Sequence, residues 1–360
     1  MKILLICYDF YRDSQTGAAT QANETCRILR EAGHSVERVY SAVNGGKFLD
    51  ENGQILTENT LADSFRACDV VHLIPCSKPI LRAIRRMPKK TIFGSTIFWS
   101  GIERGVVCAS AKRSLGWKIR CLFSAVAQMV PLIHDFRAVD VFLPNTNAEA
   151  KRVASSYRTS KKSRVFPVPN GFHVPGFGLD NLPRSPDVPK EDYIIVPGIF
   201  APRKNQLGVI RALKGFDLPV VFLGGKNPSS QWYYDVCKRE SDGNMFFVDY
   251  KPSASKEYWS LLRYARCACL PSDCETPGIA MLEAAYAGAR PAITKFGGTI
   301  EYFGFDAEYF NPCSQSDIRE AIVRAWERGR LSEVDARSYS RFSWEYCARL
   351  TMEAYSLKGL

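Results

Sequence analysis

Residues Cys267–Ala284 read CACLPSDCETPGIAMLEA, and the order of element types within them decides the fold class. Cys267-Ala268-Cys269-Leu270 is apolar without a break, as a parallel strand covered on both faces must be. A polar loop follows, and a helix is expected to begin after Gly278, whose lack of a Cβ allows close backbone approach. The amides that open such a helix have no partner inside it and form a ready anion site. Glu275 lies in the loop and Glu283 lies inside the helix, eight positions on.

The same strand, loop and helix order recurs on both sides of this stretch. Tyr193–Val196, Val220–Leu223, Met245–Val248 and Pro291–Ile293 read as further strands of one series. An earlier series starts with Lys2–Tyr8, apolar from Ile3 to Cys7. It continues through the loop Thr16-Gly17-Ala18-Ala19, a helix from about Gln21 to Glu31 closed by Gly33, and a strand Ser35–Tyr40. That order is a βαβ unit. Val70–Ile74, Thr91–Phe93, Val141–Leu143 and Arg164–Phe166 are strands of the same series. Between Phe177 and Asp192 the chain is rich in Gly, Pro, Asp and Asn, with Pro183, Pro186 and Pro189, which reads as a linker. In the tail, Trp344, Cys347, Ala348, Thr351, Ala354 and Tyr355 recur at helical spacing, with Thr351 the one polar member. The expected fold is therefore α/β, with two Rossmann-like, doubly wound domains facing across a cleft. Their bounds are 1–182, joined by a C-terminal helix 343–360, and 183–342. Ligands belong at the carboxyl ends of such sheets.

The composition agrees with two ordinary globular domains. Of 360 residues, 46% are hydrophobic and 24% charged. Lys and Arg number 48 against 37 Asp and Glu, a net charge of +11 that favours anionic partners or serves solubility alone. The twelve cysteines are scattered, several inside apolar runs, as small buried hydrophobes in a reducing compartment would be. No pair has zinc-ligand spacing with a matching second pair, so no metal site is expected. The start MKILLICYD reads as a buried strand rather than the core of a signal peptide, and no stretch reaches roughly 18 uninterrupted apolar residues. The expected location is cytoplasmic.

Glu283 is flanked by Met281, Leu282, Ala284 and Ala285, an apolar setting in which a carboxylate needs a partner. Two carboxylates placed like Glu275 and Glu283 can accept hydrogen bonds from hydroxyls, one on a sugar and one on a ribose. The plainer alternative is a helix-start acid and a solvated helix residue. Arg203-Lys204 reads either as an anion-binding pair or as an ordinary exposed basic pair.

The stretch 271–284 resembles the donor-site motif of the retaining glycosyltransferases of family 4, in which two glutamates are separated by seven residues. Ala287-Gly288-Ala289-Arg290-Pro291, Gly297-Gly298-Thr299-Ile300-Glu301, Val196-Pro197-Gly198 followed by Pro202-Arg203-Lys204-Asn205, Asn170-Gly171-Phe172-His173 and Phe342-Ser343-Trp344-Glu345 also resemble that family. The similarity covers nearly the whole chain and is weakest between about Gly94 and Val139. It implies the GT-B architecture, with an acceptor-side first domain and a donor-binding second domain. By position, Glu275 would hold hydroxyls of the transferred sugar and Glu283 the ribose of the nucleotide. Lys204 with Arg203 would neutralise the diphosphate. The backbone near Gly198, Gly278, Ile279 and Ala280, and that of Gly17 in the first domain, would approach sugar and phosphates. Many relatives carry Arg after the glycine at position 198, whereas this chain has Ile199: either Arg203 and Lys204 suffice or the phosphate is held less tightly. The family's first-domain His has no counterpart in Thr91–Trp99. His72 and His134 are candidates by chemistry only, and packed structural histidines otherwise.

The implied reaction moves a hexose-type sugar, with retention, from a nucleotide-diphosphate sugar to a glycan or lipid-linked acceptor in cell-surface polysaccharide or glycolipid assembly. No cofactor and no metal is implied, in keeping with the absence of an Asp-x-Asp triplet. Residues 104–137 combine Lys112, Arg113, Lys118 and Arg120 with Trp117, Leu122, Phe123 and Met129. Such a segment either lies on an anionic membrane, on the inner face of the plasma membrane, or is a core helix. A dehydrogenase would need G-x-G-x-x-G, and the first turn offers only Gly17. A nucleic-acid partner is not expected, because the basic residues form no recognition motif. A nucleotide-sugar epimerase or a non-catalytic nucleotide-sugar-binding relative on the same fold are the alternatives.

Overall fold

The computed structural model describes residues 1–12, 17–42, 46–95, 135–226 and 230–357. The chain forms two compact units. Of the described residues, those up to Ser95, those from Asp135 to Gly171 and those from Trp344 to Leu357 form one, and those from Phe172 to Ser343 the other. Thr16, the Thr96–Trp99 stretch, His134 and nearly all of segment 104–137 lie outside the described residues.

The first unit is built on an eight-stranded sheet. In chain order its strands are β1 (Lys2–Tyr8), β2 (Ser35–Ser41), β3 (Phe48–Leu49), β4 (Ile55–Leu56), β5 (Val70–Ile74), β6 (Thr91–Ser95), β7 (Val141–Leu143) and β8 (Arg164–Val165). They are arranged β4-β3-β2-β1-β5-β6-β7-β8. The hairpin β3–β4 is antiparallel and all other pairings but β2–β3 are parallel. Ile3 to Cys7 and Val70 to Ile74 are buried throughout, as strands covered on both faces require. The helix Gly17–Glu31 begins four residues earlier than periodicity suggests, and its buried residues Ala22, Cys26 and Leu29 lie along one face. The helix Trp344–Tyr355 closes this unit. It buries Trp344, Cys347, Ala348, Thr351, Ala354 and Tyr355, and the Thr351 hydroxyl satisfies itself on the Cys347 carbonyl at 2.9 Å.

Six parallel strands form the second unit's sheet: β9 (Tyr193–Pro197), β10 (Val220–Leu223), β11 (Met245–Val248), β12 (Ala265–Leu270), β13 (Arg290–Thr294) and β14 (Glu308–Phe310). Their order is β11-β10-β9-β12-β13-β14. Alternation along each strand divides the core in two. Ile194, Val196, Val220, Phe222, Cys267, Cys269 and Ala292 belong to one cluster. Tyr193, Ile195, Val221, Leu223, Ala268, Leu270 and Ile293 belong to the other. Helices cover both faces. One of them, Gln315–Arg328, starts at Ser314, whose hydroxyl accepts from the Asp317 amide, and ends at Gly329 with φ +71°. It buries Ile318, Ala321, Ile322 and Ala325, the i, i+3, i+4, i+7 stripe of an amphipathic helix. The Pro-rich stretch read as a linker is not free chain: Leu179, Leu182 and Val188 lie in the second unit's core, and Phe177 packs against it.

Candidate active site

Connections from β9 run to one side of the second sheet and connections from β12 to the other, so the strand order reverses between these two neighbours. That is where an open α/β sheet leaves room for a ligand beyond its carboxyl ends. The loops that leave β9 and β12 carry most of the residues singled out in the sequence.

The loop after β12 holds Glu275 by its backbone. Its N–H donates to the Phe296 carbonyl at 3.1 Å, and its carbonyl accepts from the Gly298 amide at 3.0 Å. Gly297 between them has φ +102°, and a Cβ there would lie 2.0 Å from the Glu275 oxygen. Only glycine fits, by conformation and by space. Gly278 ends the loop with φ +86° and ψ 87°. A Cβ on it would come 2.5 Å from Leu270 Cδ2. The helix Ile279–Tyr286 starts there without a side-chain cap. Among the described residues the amides of Ile279 and Ala280 have no acceptor, while that of Met281 returns to the Gly278 carbonyl at 2.9 Å. Two donors at the positive end of a helix dipole thus remain open beside Glu275.

The loop after β9 starts at Gly198, with φ +136°. Its carbonyl would lie 2.1 Å from a Cβ on Gly224, so the ends of β9 and β10 approach through two glycines. A short 3-10 turn, Pro202–Lys204, follows, stopped by Asn205 in the left-handed region at φ 55°. The Arg203 carbonyl accepts from the Asp273 amide at 2.9 Å, which ties this loop to the one after β12. Lys204 and Arg203 then part company. Arg203 is exposed, whereas Lys204 turns inward and Nζ donates to Glu275 Oε1 at 2.6 Å. Burial alone would raise the Glu275 carboxyl. The Lys204 ammonium and the Arg203 guanidinium outweigh it and hold the group below the ordinary glutamate value, hence ionised.

Glu283 is only 5% exposed, so it is not a solvated helix residue. The Tyr258 hydroxyl donates to its Oε2 at 2.5 Å. Burial pushes this carboxyl up to about 7, against the opposing pull of Tyr258 and of His173. The two glutamates therefore sit in opposite electrostatic states, Glu275 charged beside cations and Glu283 poised near neutrality. Tyr258 lies in the helix Lys256–Arg263, capped by Ser255, and nothing in the local sequence singles it out. Ile199 is 44% exposed at the position after Gly198. Gly17 opens its helix in the first unit. In that unit His72 is buried. Its Nδ1 lies 2.7 Å from the Tyr355 hydroxyl and its Nε2 2.6 Å from Ser95 Oγ, and burial lowers it to about 3. It is a neutral, packed histidine.

Residues 180–339 match the model of the family described as glycosyl transferases group 1. The second unit is a glycosyltransferase domain. No curated protein is significantly similar in sequence. Among solved structures, the chain is similar to a sucrose-phosphate synthase from Thermosynechococcus elongatus. The TM-score is 0.68 at 15% identity, over 99% of this chain and 98% of that one. A glycosyltransferase from Rickettsia africae matches with a TM-score of 0.66 at 13% identity, over 100% and 99% of the two chains. HepE of Anabaena, in complex with UDP and glucose, matches with a TM-score of 0.64 at 15% identity, over 99% and 100%. The two Rossmann-like sheets are those of the GT-B architecture, and the glycosyltransferase domain supplies the second of them.

Proposed function

We propose that the chain is a retaining glycosyltransferase of family 4 type, and that the loops after β9 and β12 bind a nucleotide-diphosphate sugar. The single observation that carries this reading is the convergence of Lys204, Glu275 and the open amides of Ile279 and Ala280 where the strand order reverses. A cation and two helix-start donors suit a departing diphosphate, and a charged carboxylate beside them suits sugar hydroxyls. Arg203, exposed next to Lys204, adds a second cation. Glu283, in its ionised form, accepts from the ribose hydroxyls.

On this reading the reaction needs no general-base carboxylate. The acceptor attacks from the face the leaving phosphate departs from, and that phosphate takes the acceptor proton. The chain's own groups stabilise the developing oxocarbenium charge and the diphosphate by position and charge. Side-chain cations and helix amides do the work of a divalent metal, so transfer proceeds in EDTA. The acceptor is a glycan or a lipid-linked molecule held by the first unit, and a lipid-linked one would bring the chain to the inner face of the plasma membrane. The HepE complex with UDP and glucose supports a uridine nucleotide as the first donor to try.

The test is a thermal-shift panel of uridine, guanosine and adenosine diphosphates and their sugar conjugates, on the native chain and on Glu283→Ala. Ligand that binds only the folded state raises the midpoint with occupancy. A rise with one base, reduced in the variant, supports the assignment. No rise with any nucleotide at millimolar concentration overturns it.

A further inference from the structure

The second unit has another concave place, at the edge of its sheet opposite Glu275. A cavity of about 130 Å³ opens where β12 and β13 begin. That is large against the roughly 10–15 Å³ a single water needs by the same measure. Three arginines, Arg263, Arg330 and Arg337, are among the residues that line it.

Arg330 is the fixed one. It donates to the Ala265 carbonyl and, at 2.7 Å, to the Ala287 carbonyl. Gly288, with φ +97°, makes room for it, since a Cβ there would lie 2.5 Å from its Nη2. Arg263 has one ionic contact, Nη2 to Asp180 Oδ1 at 3.2 Å. The guanidinium of Arg337 lies 5.0 Å over the Tyr286 ring. Asp180 and Glu333, both exposed, also line the cavity, so acids belong to its wet rim. Three arginines and two exposed acids therefore border this space, a lining with an excess of positive charge. Burial, with the neighbouring Arg263 charge, pushes Arg330 down to about 10, which is the expense of crowding like charges out of water. A dianion among them would reverse that balance.

We propose that this cavity binds a small phosphate-bearing anion, gripped by Arg263, Arg330 and Arg337 and separate from the site around Glu275. The forked guanidinium geometry matches tetrahedral phosphate oxygens, and the Tyr286 ring offers an apolar wall to whatever carries the phosphate. The site does not rest on the nucleotide-sugar reading, because none of its residues belongs to those loops.

The experiment is calorimetric titration of the full chain with inorganic phosphate and, separately, with glucose 6-phosphate. Arg337→Gln, Arg263→Gln, the double variant and Glu283→Gln are titrated alongside. Binding should weaken about tenfold or more in each arginine variant, as loss of a charge-assisted hydrogen bond implies, and remain unchanged in Glu283→Gln. Tighter binding of glucose 6-phosphate would identify a phosphorylated metabolite as the ligand, and equal binding the phosphate group alone. Both support the site. Absence of binding at roughly 10 mM, full affinity in the double variant, or loss in Glu283→Gln instead would overturn it. Melting curves without ligand check folding, and if one arginine variant melts early the other decides. Failure of every nucleotide to bind, with phosphate binding intact, would sink only the donor-site reading.

Discussion

Lys204 Nζ stands 2.6 Å from Glu275 Oε1, with side-chain exposures of 14% and 9%. Nearly every contact either charge could make with water has been exchanged for the other. The two partners are nevertheless unequal, because Glu275 is also pinned through its backbone to Phe296 and Gly298 while Lys204 reaches in on a flexible stem.

That inequality predicts an asymmetric pair of variants. Lys204→Met leaves the buried carboxylate without its contacting cation, with only the exposed Arg203 as countercharge, and should cost up to about 3–5 kcal/mol of stability. Glu275→Gln leaves a lysine able to swing outward and should cost about 1–2 kcal/mol. The double variant should be less destabilised than the sum, which urea unfolding of all three checks.

Glu283 sets a pH dependence. Its carboxyl is raised to about 7 in the folded chain and has an ordinary value of 4.5. The folded state therefore keeps a proton that the unfolded state has lost. The resulting stability is fully present below about pH 4.5 and disappears as pH rises through about 7, a change of about 3 kcal/mol. Glu283→Gln should flatten that part of the profile. If ionised Glu283 accepts from ribose, nucleotide affinity should run the other way and increase between pH 6 and 8. Denaturation and titration over one pH series measure both.

Gly297→Ala places a methyl group 2.0 Å from the Glu275 carbonyl oxygen on a backbone with φ +102°. The bonds from Glu275 to Phe296 and Gly298 must then break or shift. A loss of about 2 kcal/mol or more is expected, together with nucleotide binding. Gly33→Ala is the control: φ is +81° but nothing lies within 4 Å of the added carbon, so it should cost stability without touching binding.

Tyr355→Phe removes the hydroxyl 2.7 Å from His72 Nδ1. A buried ring nitrogen loses its partner, which should cost about 1–3 kcal/mol. Transfer activity should survive at saturating substrate, since neither residue belongs to the loops after β9 and β12. Melting midpoints and kcat together test this.

Much of this was legible in the sequence because local pattern and tertiary role coincide. The tail stripe from Trp344 to Tyr355 is buried at every position that periodicity selects, Thr351 included. Glu283 stood out as a charge among apolar neighbours, and its burial follows directly. What could not be read depends on partners far away in the chain. Tyr258 meets Glu283 across 25 positions and carries no motif. The hairpin β3–β4 has two residues per strand, with Phe48 its one buried member, so it leaves no period to detect. β14 has one buried residue, Phe310. The stretch 177–192 has the composition of a linker, yet Leu179, Leu182 and Val188 give it an apolar side that the core takes up.

The second unit's main span begins and ends at one point. The Phe172 amide donates to the Phe342 carbonyl at 3.0 Å, and Phe172 pairs with Ser343 in a parallel bridge. For the chain as a polymer, Phe172–Ser343 is a long excursion whose ends are stitched together. Closing a free loop of that length carries an entropic penalty that grows with the logarithm of its length. Once the excursion has folded its ends already lie together, and the chain leaves it at Trp344 beside the point where it entered at Gly171. The helix that begins at Trp344 therefore starts from a fixed point beside Gly171 instead of from the end of a free chain.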